Sequence, residues 1–359
     1  CPTGPVLRAM TRIPSHSVGL LGRGLATLLF LPLALMAQAV VVPTDIQMPG
    51  TQPFDAAPFE SPDYCAACHG GYDNAVEPHS TWRGSMMSQA TRDPVFWAAV
   101  AVAEQDFTGS GDLCIRCHSP MGWVDGRSTP TDGSALFDED AHGVSCDSCH
   151  RASNPDNSEW FGAQSGDFIA NDGGVPPIPY IGGGEYVLSS TEYPKFGPFS
   201  DAAAPHPKQQ TDFIRSAALC GTCHDVSNPL VGDLAPDHGA TAPLSGATSG
   251  VVGSPVAGKA AFNNFPHEYG VVERTYSEHV SSALSTMPVS DYGTLPPELQ
   301  DGAIQDAYDA AMASTFDGNY ADGTVRNFSC QTCHMPPVTA VGCGLGGVPV
   351  RPDMPLHDL

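Results

Sequence analysis

Five short motifs constrain this chain more than anything else in it. Cys65-Ala66-Ala67-Cys68-His69, Cys114-Ile115-Arg116-Cys117-His118, Cys146-Asp147-Ser148-Cys149-His150, Cys220-Gly221-Thr222-Cys223-His224 and Cys330-Gln331-Thr332-Cys333-His334 all read Cys-x-x-Cys-His. With 12 Cys and 13 His in 359 residues, random placement gives on the order of 0.01 such motifs. The spacing has a chemical reason. Two thiols two residues apart reach both vinyl groups of one porphyrin, and the adjacent His is then held under the ring, where its imidazole binds iron. The pattern predicts five covalently attached c-type haems. Cys65, Cys68, Cys114, Cys117, Cys146, Cys149, Cys220, Cys223, Cys330 and Cys333 are the attachment points, and His69, His118, His150, His224 and His334 the proximal ligands. Zinc fits less well: it would use the Cys pairs two at a time and leave one over, with no need of a His at a fixed offset. Disulfide exchange accounts for one Cys-x-x-Cys, not five.

Composition agrees with a cofactor-filled interior. Hydrophobic residues make up 41% of the chain but aromatics only 8%, thin for a conventional core of this length. Porphyrins supply the missing apolar area. The formal net charge of −24 argues against nucleic acid and for a cationic or metal-bearing redox partner. It also suits solubility outside the cell.

Residues 1–39 read as a signal peptide or N-terminal anchor. Met10 looks like a start, Arg12 and Arg23 form a positive region, Leu25 to Met36 is apolar, and Ala37-Gln38-Ala39 fits a small-x-small cleavage site. The run Leu25–Val42 is just long enough to span a bilayer, though Pro32 and Gln38 weaken it. Either way residues 40–359 form a pentahaem domain outside the cytoplasm, periplasmic or extracellular, with anchoring through residues 25–42 as the alternative to cleavage. One cysteine of that domain, Cys343, is left outside the motifs and reads as a free buried thiol.

The expected fold class is mainly α with extensive irregular loop. Ser80 reads as the N-cap of a short helix, and Asp93-Pro94 opens a clearer one running to about Glu104. Its Phe96 and Trp97 are expected to pack on a haem or a neighbouring helix. Helices are also expected over residues 208–219, 274–284 and 297–315. Residues 151–205 and 225–262 are Gly/Pro-rich and read as loop. The short link between the second and third motifs predicts that their haems are neighbours. The chain closes at His357-Asp358-Leu359 with no terminating element in the pattern.

Bis-histidine ligation needs five further histidines. His79, His142, His206, His267, His279 and His357 are the candidates for the sixth position, with His267 and His279 competing for the last place. His142 is the first choice. Four residues before Cys146, it cannot easily serve its own haem but can reach a neighbouring one. His238, in Pro236-Asp237-His238-Gly239, looks like a loop residue. Met86, Met87, Met121 and Met335 lie near motifs, but the histidines suffice without them.

With these residues in view the chain resembles the multihaem c-type cytochromes, especially the group of cytochrome c-554 and the hydroxylamine-oxidoreductase-like proteins. The resemblance is carried by the five motifs, by His142-Gly143-Val144-Ser145 before Cys146, and by His79-Ser80-Thr81-Trp82-Arg83-Gly84-Ser85-Met86, which looks like a distal-ligand segment. It implies a multihaem cytochrome c architecture organised around stacked haems that form a continuous electron path. Two functions follow as expectations. One is electron transfer, with other redox proteins or extracellular electron acceptors as partners and self-assembly into a filament as a variant. The other is a redox enzyme acting on a small nitrogen or sulfur compound at one open haem. The absence of a Cys-x-x-Cys-Lys variant and the supply of histidine favour the first.

Overall fold

The computed structural model describes residues 50–106, 109–164, 181–232 and 269–359, within the unit Val42–Leu359. The signal or anchor segment 1–39 lies outside the described residues, as do His238 and His267. Among the described residues no helix is long and apolar enough to cross a membrane.

Among the described residues ten α-helices follow in chain order: α1 Pro62–His69, α2 Pro78–Gly84, α3 Pro94–Asp106, α4 Gly111–His118, α5 Pro120–Val124, α6 Cys146–His150, α7 Ala217–Gly221, α8 Thr275–Ser281, α9 Gly302–Ser314 and α10 Cys330–His334. Proline opens α1, α2, α3 and α5, where its fixed φ is already helical and its missing N–H would be unpaired anyway. Each Cys-x-x-Cys-His motif is a helical turn: it closes α1 and α4, constitutes α6 and α10, and begins within α7. The caps are local and legible. Ser61, Ser216 and Ser329 each accept a hydrogen bond from the first turn of α1, α7 and α10. Helices of five to eight residues carry almost no stability of their own, so tertiary packing and whatever the sulfurs bind must hold them.

Among the described residues strands appear as isolated pairs. Antiparallel β1 Ala152–Ser153 and β2 Val187–Leu188, parallel β3 Lys195–Gly197 and β4 Lys208–Gln210, antiparallel β5 Ser227–Gly232 and β6 Tyr269–Val271, and the hairpin β7 Pro337–Val341 and β8 Val350–Pro355 form four two-stranded ladders. The larger core gathers Ile115, Met121, Trp123, Tyr186, Leu188 and Phe213, with Cys149 and Cys223 packed against it. A smaller one joins Val289, Tyr292, Leu295, Ala307, Ala311 and Phe328, with Tyr292 and Tyr308 stacked at 4.3 Å.

The mainly helical, loop-rich character is as expected, and so is α3, whose Asp93 carboxylate accepts from Val95 N at 2.8 Å. Other expectations need correction. α2 starts at Pro78 behind Glu77, and Ser80 lies inside it, its hydroxyl donating back to the Glu77 carboxylate. The helix expected over 208–219 is β4, a 3-10 turn at Phe213–Arg215 and the short α7. Pairing of Lys208–Gln210 with β3 takes up the backbone groups a helix would have used. The helices expected over 274–284 and 297–315 are α8 and α9, each joined by a 3-10 turn. The loop 151–205 contains β1, β2 and β3, and its residues 165–180 lie outside the description. Similarly β5 occupies part of 225–262. Residues 356–359 follow the β7–β8 hairpin, and Leu359 O accepts from Met86 N at 2.7 Å.

Candidate functional site

A cavity of about 1240 Å³ is lined by Cys65, Cys68, Cys114, Cys117, Cys146, Cys149, Cys220 and Cys223, by their motif histidines, and by His79, His206 and His357. Four of the five motifs thus open into one space. From the fifth, Gln331 and Thr332 reach it, while Cys333 and His334 are exposed. Thiols of different motifs lie near enough to shift one another's titration: Cys65 with Cys146, Cys117 with Cys223, and Cys220 with Cys330. Cys149 lies close enough to Cys223 to feel its charge. The first motif therefore adjoins the third and the second adjoins the fourth. The second and third motifs both reach Cys223 of the fourth, through Cys117 and Cys149.

Neighbouring thiols lower the pKa of Cys65, Cys223 and Cys330, whereas burial raises others. Burial pushes the Cys114 thiol up to about 11 and the Cys149 thiol up to about 12, the reverse of what a thiolate metal site needs. Among the described residues no group of three or more His, Cys, Asp and Glu converges on a bare ion. Covalent attachment through thioether bonds requires no such thiolate cage.

The motif histidines are held from behind. His69 Nδ1 meets Gly342 O at 2.7 Å, and His150 Nδ1 meets Phe196 O at 2.7 Å. A ring that donates its Nδ1–H to a carbonyl keeps Nε2 as the lone-pair nitrogen, the usual arrangement behind a metal-ligating imidazole. His118 faces the Ala90 carbonyl without closing a full hydrogen bond, and its ring is stacked on Phe96 with centres 3.9 Å apart. That contact realises the expected role of the α3 aromatics. His224 lies 3.9 Å from Glu273. Burial lowers the pKa of His69, His118 and His150, which keeps them in the neutral, ligating form.

The remaining candidates separate into groups. His206 lies against His69 with ring centres 6.4 Å apart, and His357 against His150 at 6.3 Å. Burial pushes His357 down to about 3. His79 and His142 flank Trp82, at 5.7 and 6.3 Å, and each also faces a carboxylate, Asp63 at 3.9 Å and Glu139 at 3.8 Å. The Trp82 indole donates to Val144 O at 2.8 Å and fixes this group against the third motif. Gly143 is required here: at φ +63, a Cβ would lie 2.4 Å from Met87 O, and Val144 N donates to that same carbonyl at 3.0 Å. His279 sits half-buried in α8, its pKa lowered by burial, with no ring contact to a motif histidine.

Sequence reasoning missed a charged network behind the third motif. Asp147, inside that motif, is 1% exposed and accepts from Lys195 Nζ at 2.6 Å, which also meets Glu60 at 2.7 Å. Arg151, wholly buried, donates to Ala57 O at 2.8 Å, Pro58 O at 3.1 Å and Ser189 O at 2.9 Å and lies 3.7 Å from Asp147. An Arg placed directly after the ligand His was the available signal. Arg151→Met should lower stability by about 3–5 kcal/mol, the usual result of removing one partner from a buried charge network, read as a loss in the denaturation midpoint of the holoprotein. A midpoint within experimental error of the parent would mean that the three carbonyls and Asp147 do not depend on it.

Taken together, these residues fit haem c. Paired sulfurs, neutral imidazoles with Nδ1 turned to carbonyls, and an apolar wall of Phe96, Val100, Leu113 and Leu219 face the same cavity.

Residues 64–151 match the family model for cytochrome c554 and c-prime, a stretch that contains the first three motifs together with His79 and His142. No curated protein matches the chain. Among solved structures it is similar to a penta-heme cytochrome c552 from Thermochromatium tepidum, at 16% identity and a TM-score of 0.30, over 50% of this chain and 48% of that one. The match therefore spans about half the length of that relative. On this match and on its Cys-x-x-Cys-His motifs, the chain is similar to the multihaem c-type cytochromes of the c554 type.

Proposed function

We propose that this protein carries electrons through five covalently bound haems outside the cytoplasm, each iron held by two histidines, in exchange with other redox proteins or extracellular acceptors. The observation that supports this most is that Cys and His of four motifs line one cavity together with His79, His206 and His357. Attachment points that share one space would bring the bound groups side by side. Haem c supplies a reversible one-electron couple at its iron. The chain's own residues do the rest. Phe96, Val100, Leu113 and Leu219 exclude water from the cavity, and the carbonyls of Gly342 and Phe196 orient His69 and His150. Hydrogen bonding to the ligand and burial are the protein's means of tuning potential.

Low-temperature EPR of the holoprotein, with optical titration by cyanide and carbon monoxide, tests the reading. We expect five haems per chain by pyridine haemochrome, all low-spin, with no uptake of ligand. One high-spin haem that binds cyanide would replace it with the enzyme reading, in which a small nitrogen or sulfur compound occupies the open position.

A further inference from the structure

We infer that His206 is the sixth ligand of the iron held by His69, and His357 the sixth ligand of the iron held by His150. The assignment rests on the haem-bearing reading above and goes beyond it by saying which histidine serves which motif. Its warrant is a length. An imidazole binds a metal at about 2 Å, and its ring centre lies about 1 Å further back, so two rings facing each other through one iron have centres about 6 Å apart. The two observed separations are 6.4 Å for His69 with His206 and 6.3 Å for His150 with His357. The interplanar angles, 54° and 26°, are both admissible, because each ring turns freely about its own bond to the metal. Direct stacking gives a shorter distance, as the 3.9 Å between Phe96 and His118 shows.

The backbone holds the two distal rings where the assignment needs them. His206 Nδ1 meets Pro207 O at 3.2 Å, which turns Nε2 toward the cavity it lines. Next to it, β4 is locked to β3, and β3 carries the Phe196 carbonyl that holds His150. His357 follows β8 directly, with its N–H on Thr81 Oγ1 at 3.2 Å and Leu356 N on Pro336 O at 3.1 Å. Proximal and distal partners of both pairs all line the same cavity. Among the described residues no other motif histidine has a second histidine ring against it. His79 and His142 face Trp82 and carboxylates instead.

One consequence concerns assembly. Cys65 of the first motif and Cys146 of the third line the same cavity. On this assignment both of their irons are closed from far away in sequence, by the segment before β4 and by the end of the chain after β8. That pair of sites is complete only when the C-terminal hairpin has docked.

The test is made on holoprotein carrying His206→Ala or His357→Ala. Each variant should convert one haem equivalent from low-spin to high-spin in EPR and take up one equivalent of carbon monoxide, and the double variant two. His206→Met and His357→Met cover the case in which alanine variants do not fold. Methionine keeps the iron six-coordinate, and one haem of each variant should then titrate at a raised potential. The pairing itself is read in a chain lacking the first attachment site, Cys65→Ala with Cys68→Ala. There His206→Met should shift no remaining haem, whereas His357→Met still shifts one. A shifted haem in the first case would overturn the assignment while leaving the electron-transfer reading intact. Parent protein that carries no haem would instead remove the reading on which the assignment rests.

Discussion

Replacing Cys220 and Cys223 by alanine should reduce the yield of folded holoprotein more than the same change in any other motif, and replacing Cys330 and Cys333 should reduce it least. The fourth motif is the junction of the site. Cys223 is near both Cys117 and Cys149, and Cys220 is near Cys330. Thr222 O takes Gly184 N at 2.7 Å, and Tyr186 OH donates to Arg116 O at 3.1 Å, so the strap over residues 182–188 ties the fourth motif to the second. Gly221 is packed so closely that a Cβ there would lie 2.4 Å from the Tyr276 ring. Loss of the group attached at this junction leaves a void among all of these contacts. At about 24 cal/mol per Å³ a void of about 300 Å³ costs about 7 kcal/mol, comparable with the roughly 5–15 kcal/mol that holds a domain folded. The fifth motif is peripheral, with Cys333 and His334 exposed. Its variant should fold with four haems. The haem-to-protein ratio and intact mass of the purified product measure both. A well-folded four-haem protein from the fourth-motif variant would show that the junction is not structural.

What the sequence made legible was local. A Cys-x-x-Cys-His turn needs only its own five residues, so Cys65 through His334 could be named without a fold, and the cap at Asp93-Pro94 is equally self-contained. The strand in place of a helix at Lys208–Gln210 depends on its partner Lys195–Gly197, thirteen residues upstream in register and not signalled by any periodicity. The distal histidines show the same divide. His142 stood out by its offset from Cys146, yet the rings found against motif histidines are His206 and His357, brought there by β3–β4 pairing and by the terminal hairpin. Nothing near His357 in sequence points to His150, because the connection is a packing of elements some two hundred residues apart. The burial of Glu185 was invisible for the same reason: an isolated acid in a glycine-rich stretch carries no pattern.

Glu185 gives the second large effect, a dependence of stability on pH. Its side chain is fully buried, both carboxylate oxygens lack a hydrogen-bond partner, and burial pushes its pKa up to about 8 against the opposing pull of Arg116. Arg116 is itself held over the rings of Trp123 and Tyr186 at 4.3 and 5.1 Å. In the unfolded chain the carboxyl ionises near its ordinary 4.5. Below that pH both states hold the proton and Glu185 contributes no dependence. Between about 4.5 and about 8 the folded state retains a proton that the unfolded state has released, so stability falls as pH rises. Above about 8 both states are ionised and the loss is complete. At 1.36 kcal/mol per unit the full loss is at most about 5 kcal/mol, and at roughly 2–4 °C per kcal/mol it lowers Tm by on the order of 10 °C. Glu185→Gln keeps the shape and removes the charge. Its Tm should match the parent's at pH 5 and exceed it increasingly toward pH 9, with both proteins measured as holoproteins in the same buffers. Parallel Tm curves for the two proteins would mean that the Glu185 carboxylate is compensated at every pH, with Arg116 as the group able to do it.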